Sequence, residues 1–127
     1  MSKKVINAAA APKAIGPYSH AIDTGLGFIF TSGQIPIDPA TGELVEGGIE
    51  AQTDRVFQNL KAVLEEAGSS LNQVVKATVF LQDLKDFTLM NGIYGKYLGT
   101  DSPARSAVQV AGLPKGALVE IEVIALK

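Results

Sequence analysis

The sequence has no cysteine and no tryptophan, a single histidine (His20) and, in 127 residues, two arginines, Arg55 and Arg105. Without cysteine there are no disulfides, no thiolate nucleophile and no thiol ligand for zinc. One imidazole cannot make a histidine-type metal site. Ser19, Ser32 and Ser106 lack a G-x-S-x-G setting, so no catalytic triad is supported. P-loop and G-x-G-x-x-G segments are absent, so no nucleotide cofactor is indicated, and the expectation is no cofactor and no metal. No apolar run approaches the ~18 residues that a membrane span needs. The start, Met1 to Asn7, carries lysines but no long apolar stretch, so a secretory signal is not expected and a cytoplasmic location is. Basic charge is also scarce. Eleven Lys and Arg face thirteen Asp and Glu, for a net charge of −2, and the basic residues are scattered, so nucleic acid is not an expected partner.

What is present points to a folded domain. Hydrophobic residues make up 46% and charged residues 19%, a balance that buries a core and excludes disorder. The length suits one domain, and with no linker, repeat or low-complexity tract we expect a single domain over residues 1–127.

Phe28 to Ser32 is β-branched and aromatic and reads as a strand, with Tyr18 to Asp23 as its hairpin partner across Thr24-Gly25. Asp38-Pro39-Ala40-Thr41-Gly42 is a turn. From Ile49 to Ala67 the residues Val56, Leu60, Val63, Leu64 and Ala67 recur at helical spacing, and Gly68 can stop that helix. Val74 to Leu81 has strand propensity. Asp83 can cap a second helix with Asp86 in a loose capping box, and Phe87, Met90, Tyr94, Tyr97 and Leu98 form its stripe. Ser106 to Val110 and Leu118 to Leu126 read as a final hairpin. The order β-β-α-β-α-β-β predicts an α+β fold with both helices on one sheet face. The second face would then be apolar and open. Mean hydropathy is +0.21, so burial of that face in a symmetric oligomer is expected.

Few residues could carry chemistry. Arg105 opens an otherwise apolar strand, with Ala107 and Gln109 on its side by alternation. Small Ala107 leaves room for a carboxylate on the guanidinium. The alternative is a structural ion pair from Arg105 to Glu120 or Glu122. Those glutamates share a strand face, and a carboxylate pair can do acid–base work or be a solvated face. Asn91 lies on the apolar stripe of its helix and needs a partner, backbone or ligand. Tyr18 follows Gly16-Pro17 on a stiff loop, as a ligand contact or as packing. Gly33 would let backbone amides approach a ligand, or would simply turn the chain. His20 reads as packing or surface.

The segments Ala14-Ile15-Gly16-Pro17-Tyr18-Ser19, Thr31-Ser32-Gly33-Gln34-Ile35-Pro36, Val75-Lys76-Ala77-Thr78-Val79-Phe80, Pro103-Ala104-Arg105-Ser106 and Leu113-Pro114-Lys115-Gly116 run in an order that resembles the RidA (YjgF) family, as does the ending from Val119 to Ala125. The resemblance runs from about Asn7 to Lys127, nearly the whole chain. It implies a chorismate-mutase-like fold, a homotrimer with ligand clefts between subunits, and no cofactor. It also implies hydrolysis of 2-aminoacrylate and 2-aminocrotonate, or their imine tautomers, to 2-keto acids and ammonia. By resemblance Arg105 would grip the substrate carboxylate and the Ala107 N–H would assist. Glu120 would position water, and Tyr18, Gly33, Phe87 and Asn91 would line the cleft. Many members carry Cys where this chain has Ala107, so a thiol-based switch cannot operate here. The connection before Pro103 looks short beside some members. Two rival readings stand beside the deaminase: a regulatory protein that binds 2-keto acids without turnover, and an endoribonuclease or translation inhibitor. The acidic charge balance speaks against the latter.

Overall fold

Six strands and two helices account for the regular structure of the computed structural model, which describes residues 2–127. They are β1 (Lys4–Ile6), β2 (Ala21–Asp23), β3 (Phe28–Thr31), α1 (Ile49–Glu66), β4 (Val74–Leu81), α2 (Phe87–Leu98), β5 (Ala104–Gln109) and β6 (Val119–Leu126). The sheet runs β1-β2-β3-β6-β4-β5 and is mixed, because β4 and β5 pair parallel while every other pair is antiparallel. No helix is long and apolar enough to cross a membrane among the described residues.

The two strands at the end of the chain do not form the expected hairpin. Strand β6 lies between β3 and β4, and β5 is the sheet edge beyond β4. Two physical reasons account for this. Parallel strands need a crossover, and α2 supplies one between β4 and β5. The side chains of Val119, Ile121, Val123 and Ala125 bury completely only where strands flank β6 on both sides, whereas β5, with Ser106 and Gln109, tolerates an edge. β1 was not expected. It is three residues long, begins at Lys4 and pairs with β2.

Other expectations hold with shifted ends. The β2–β3 hairpin turns through Gly25 and Gly27, both at positive φ. The turn at Asp38 closes with Gly42 N–H donating to the Asp38 carbonyl at 2.8 Å. The Asp83 carboxylate accepts from Lys85 N–H at 2.9 Å, but it caps a single 3-10 turn, Leu84–Asp86, that precedes α2. The capping box on the helix itself is not formed.

Both helices cover one face. Val56, Phe57, Leu60, Val63 and Leu64 of α1 and Met90, Tyr94 and Leu98 of α2 join Ile29, Val79, Leu81 and Ile121 in one core. Phe57 is the pivot between the helices, stacked on Tyr97 at 4.8 Å and edge-on to Tyr94 at 5.6 Å. The opposite face leaves Phe28, Phe30, Val108 and Leu126 exposed, on the side that pairing assigns by Phe28 with Leu126 and Phe80 with Val108.

The irregular segment from Ser32 to Gly48 is anchored from α1. Buried Asn59 donates to the carbonyls of Ile35 at 3.3 Å and Ile37 at 3.0 Å, and accepts from Arg55 Nε at 3.1 Å. Gln34 exchanges both backbone bonds with Ile121, at 2.9 and 3.1 Å. Replacing Asn59 with Ala leaves the buried Ile37 carbonyl without a donor and the Ile35 carbonyl with only Ile37 N–H, at 2.8 Å. Urea unfolding is expected to show a loss of about 1–3 kcal/mol, against roughly 0.5 kcal/mol or less for Ala at exposed Gln58.

Candidate active site

Strand register divides the candidate residues between two places. Arg105 pairs with Ala77 and Ala77 with Val123, so all three share the helix-covered face; Ala107, Val79 and Ile121 follow suit. Glu120 pairs with Phe80 and Glu122 with Thr78, on the other face. Arg105 and Glu120 therefore lie on opposite sides of the sheet in one protomer, with β4 between their strands. A structural ion pair from Arg105 to either glutamate is not formed.

The first half of the site surrounds Arg105. From the edge strand its half-buried side chain reaches toward α2, where Phe87, Asn91 and Tyr94 project on one helical stripe. Nη1 donates to Asn91 Oδ1 at 2.7 Å. The guanidinium carbon lies 4.7 Å from the Tyr94 ring centroid and 5.3 Å from that of Phe87. Cation–π attraction to two faces and one bond to a neutral amide hold the group without neutralising it. Tyr94 is buried and its hydroxyl has no hydrogen-bond partner; desolvation raises its pKa, against the opposing pull of Arg105. Ala107 stands two residues along on the same face. Val110 N–H donates inward to the Leu81 carbonyl at 2.9 Å, so by alternation the N–H groups of Arg105, Ala107 and Gln109 point out from the free edge. A guanidinium and an open backbone N–H side by side form a carboxylate-binding pair.

The second half is a cavity of about 210 Å³ lined by Ile15, Tyr18, Ser32, Gly33, Ile35, Pro114 and Glu120. The Gln34–Ile121 bridge draws Ser32-Gly33 against β6. Gly33 sits so close to the Glu120 carboxylate that a Cβ at position 33 would collide with it. Here the absence of a side chain, rather than a turn conformation, is what the position requires. Burial raises the pKa of Glu120, and the neighbouring charge of Glu122 raises it further. Tyr18 is exposed at the cavity mouth, its hydroxyl accepting from Ile15 N–H at 3.2 Å. Among the described residues no group of three or more His, Asp or Glu gathers as a metal site.

Thus Arg105, Ala107, Phe87 and Asn91 come together, as do Tyr18, Gly33 and Glu120, but the two groups do not meet in one protomer. Sequence reading missed Tyr94 as a partner of Arg105, although it lies three residues after Asn91 and seven after Phe87 on the same stripe. It also missed Ile15, Ser32 and Pro114 as cavity walls, because loop contacts leave no periodic trace.

Comparison with known proteins agrees with this architecture. The sequence model of a family described as Endoribonuclease L-PSP matches residues 8–127. A RutC family protein of Pyrococcus abyssi is 60% identical over 127 residues, covering 100% of this chain and 99% of the relative. The 2-iminobutanoate/2-iminopropanoate deaminase of Bos taurus is 46% identical over 125 residues, covering 98% of this chain and 90% of the relative. The crystal structure of E. coli TdcF with bound serine superposes with a TM-score of 0.91 at 42% identity, over 98% of each chain. With its mixed sheet, two helices and near full-length matches, the chain belongs to the endoribonuclease L-PSP family, the YjgF/RidA proteins.

Proposed function

We propose that this protein is a cofactor-independent hydrolase that deaminates reactive 2-imino acids and their enamine tautomers, 2-aminoacrylate and 2-aminocrotonate, to 2-keto acids and ammonia. The observation that carries this reading is Arg105: a half-buried guanidinium held by an amide and two aromatic faces, with no carboxylate paired to it among the described residues. Such a group is prepared for an anion that arrives from outside. The names of two relatives support the reading: one is an imine deaminase, and another was solved with serine, an amino acid bearing a carboxylate.

The chemistry asks little of the protein. A protonated iminium carbon is already electrophilic, so no protein nucleophile is needed. Arg105 and the Ala107 N–H fix the carboxylate and thereby the position of the imine carbon. Glu120 orients a water and accepts one of its protons as oxygen bonds to that carbon. The proton then passes to the nitrogen of the tetrahedral adduct, the C–N bond breaks as the C=O forms, Glu120 takes the hydroxyl proton, and the departing ammonia carries that proton away as ammonium. Iminium and water in, keto acid and ammonium out, balances atoms and charge.

One ligand can meet both halves only if different protomers supply them. A head-to-tail contact that sets the β5 edge of one copy against the Glu120 cavity of the next makes a ring when its rotation closes. The reading is a homotrimer with three such clefts, whose assembly covers the open apolar face carrying Phe28, Phe30, Val108 and Leu126. Its partners are small 2-imino and 2-keto acids.

Release of 2-ketobutyrate from 2-aminocrotonate, generated in situ by threonine dehydratase, tests the activity. Arg105→Ala is expected to lower kcat/KM by about 100-fold or more, as for loss of a charged hydrogen-bond pair. Glu120→Gln is expected to lower turnover by roughly 100-fold or more while 2-ketobutyrate binding persists; retained turnover in Glu120→Gln would leave a carboxylate-binding protein as the better reading. The same two variants, unfolded and refolded together at equal amounts, are expected to regain about one quarter of wild-type activity, because half of the guanidinium faces and half of the glutamate faces are intact and meet at random. No recovery would place both halves of a cleft in one protomer.

The pH profile follows from Glu120. Its base form is lost as pH falls through a pKa raised above the ordinary carboxylate value of 4.5. The acid limb of kcat/KM should lie correspondingly high. Glu122→Gln, by removing the like charge, should move that limb to lower pH.

A further inference from the structure

His20 is buried at 4% exposure at the entrance to β2 and is tied to backbone through both ring nitrogens. Ala8 N–H, which can only donate, lies 2.9 Å from Nδ1. The Pro12 carbonyl, which can only accept, lies 2.8 Å from Nε2. Together they specify one form of the ring, neutral with its proton on Nε2. The imidazole thereby clasps both ends of the Ala8–Pro12 stretch, whose own internal bond, Ala11 N–H to the Ala8 carbonyl, is long at 3.3 Å.

The main chain of the same residue ties this stretch to the cavity. His20 N–H donates to Asn7 Oδ1 at 3.3 Å, and its carbonyl accepts from Ser32 N–H at 2.9 Å. Ser32 Oγ donates to the Ser19 carbonyl at 2.6 Å. Ser32 and Tyr18 are both walls of the cavity that holds Glu120. The titratable side chains that border the hollow beside His20 are Lys13 and Tyr18, and no carboxylate lies within 4.0 Å of the ring among the described residues. Nothing anionic therefore compensates an imidazolium there. A proton on Nδ1 would set one N–H donor against another, that of Ala8, in a buried place.

We propose that His20 is a positioning residue of the cleft: as the neutral Nε2–H imidazole it holds the Asn7–Tyr18 segment, and with it Ile15 and Tyr18, against the Glu120 cavity, and protonation of the ring releases that segment. What the cavity binds rests on the deaminase reading; the clasp does not. Gln in place of His can present an oxygen to Ala8 N–H and an N–H to the Pro12 carbonyl but cannot titrate, whereas Phe can do neither.

Nitrogen-15 NMR of the full chain tests this without any turnover, so failure of the deaminase reading leaves the result readable. At neutral pH, Nδ1 is expected to be unprotonated and Nε2 protonated. As His20 titrates, the exchange protection of the Ala8 amide, corrected for intrinsic rate, is expected to fall about tenfold, the loss of one buried bond. The amide signals of Ile15 and Tyr18 should shift in step with it. His20→Gln should keep Ala8 protected at neutral pH and show no step, and His20→Phe should lose the protection at every pH. A proton found on Nδ1 at neutral pH would overturn the proposal. So would Ala8 protection that passes unchanged through the His20 titration, or a wild-type step in His20→Gln. If His20→Phe does not fold, the wild type and His20→Gln decide.

Discussion

Strand β6 has to satisfy four neighbours at once. Its edges are bonded to β3 and β4, its Val119, Ile121, Val123 and Ala125 face is sealed by the helices, and the Ser32–Gly48 segment is pinned to it through Gln34. Only one face remains for polar side chains, and it carries Glu120 and Glu122. The environment of Glu120 therefore follows from core packing. Because Ile121 must stay buried, its neighbour must point the other way, and because Gln34 is bonded to Ile121, Gly33 closes over the carboxylate. Desolvation of that carboxylate is a consequence of the same contacts that complete the core.

Arg105 shows the opposite solution on the opposite face, at the edge strand β5. An arginine beside a carboxylate would be held firmly, but an incoming anion would have to displace its partner. Here the guanidinium rests on the faces of Tyr94 and Phe87 and donates to Asn91, a neutral acceptor. Quadrupoles and an amide dipole fix its orientation while leaving its charge uncancelled. The edge position of β5 adds the outward N–H groups that an inner strand would have spent on a neighbour.

Much of this was legible in the sequence because it is periodic. The stripe of α1, the run of β4 and the alternation of β6 were each readable within a residue or two, and alternation correctly set Arg105 with Ala107 and Glu120 with Glu122. Alternation says which way a side chain points but not which strand lies alongside. Adjacent strands in sequence commonly pair, so chain order alone points to a β5–β6 hairpin and gives no sign that β6 inserts between β3 and β4. The separation of Arg105 from Glu120 on opposite faces follows from that insertion and was hidden with it. Arg105 itself stood out through the scarcity of arginine. The collision between a side chain at position 33 and Glu120 had no local signal, since it arises from a bridge between residues 34 and 121.

The central place of β6 also bears on how the chain reaches its fold. Ile29 pairs with Ala125, so the middle of the sheet joins segments separated by most of the chain, and β3 and β4 have no partner for their inner edges until β6 arrives. Contacts of such long sequence separation slow folding, because the loop must close before the pairing rewards it. During synthesis β6 leaves the ribosome after β3, β4 and both helices. Until then the backbone N–H and C=O groups along one edge each of two apolar strands stand unpaired, and the newborn chain depends on dilution or chaperones to avoid pairing with its neighbours.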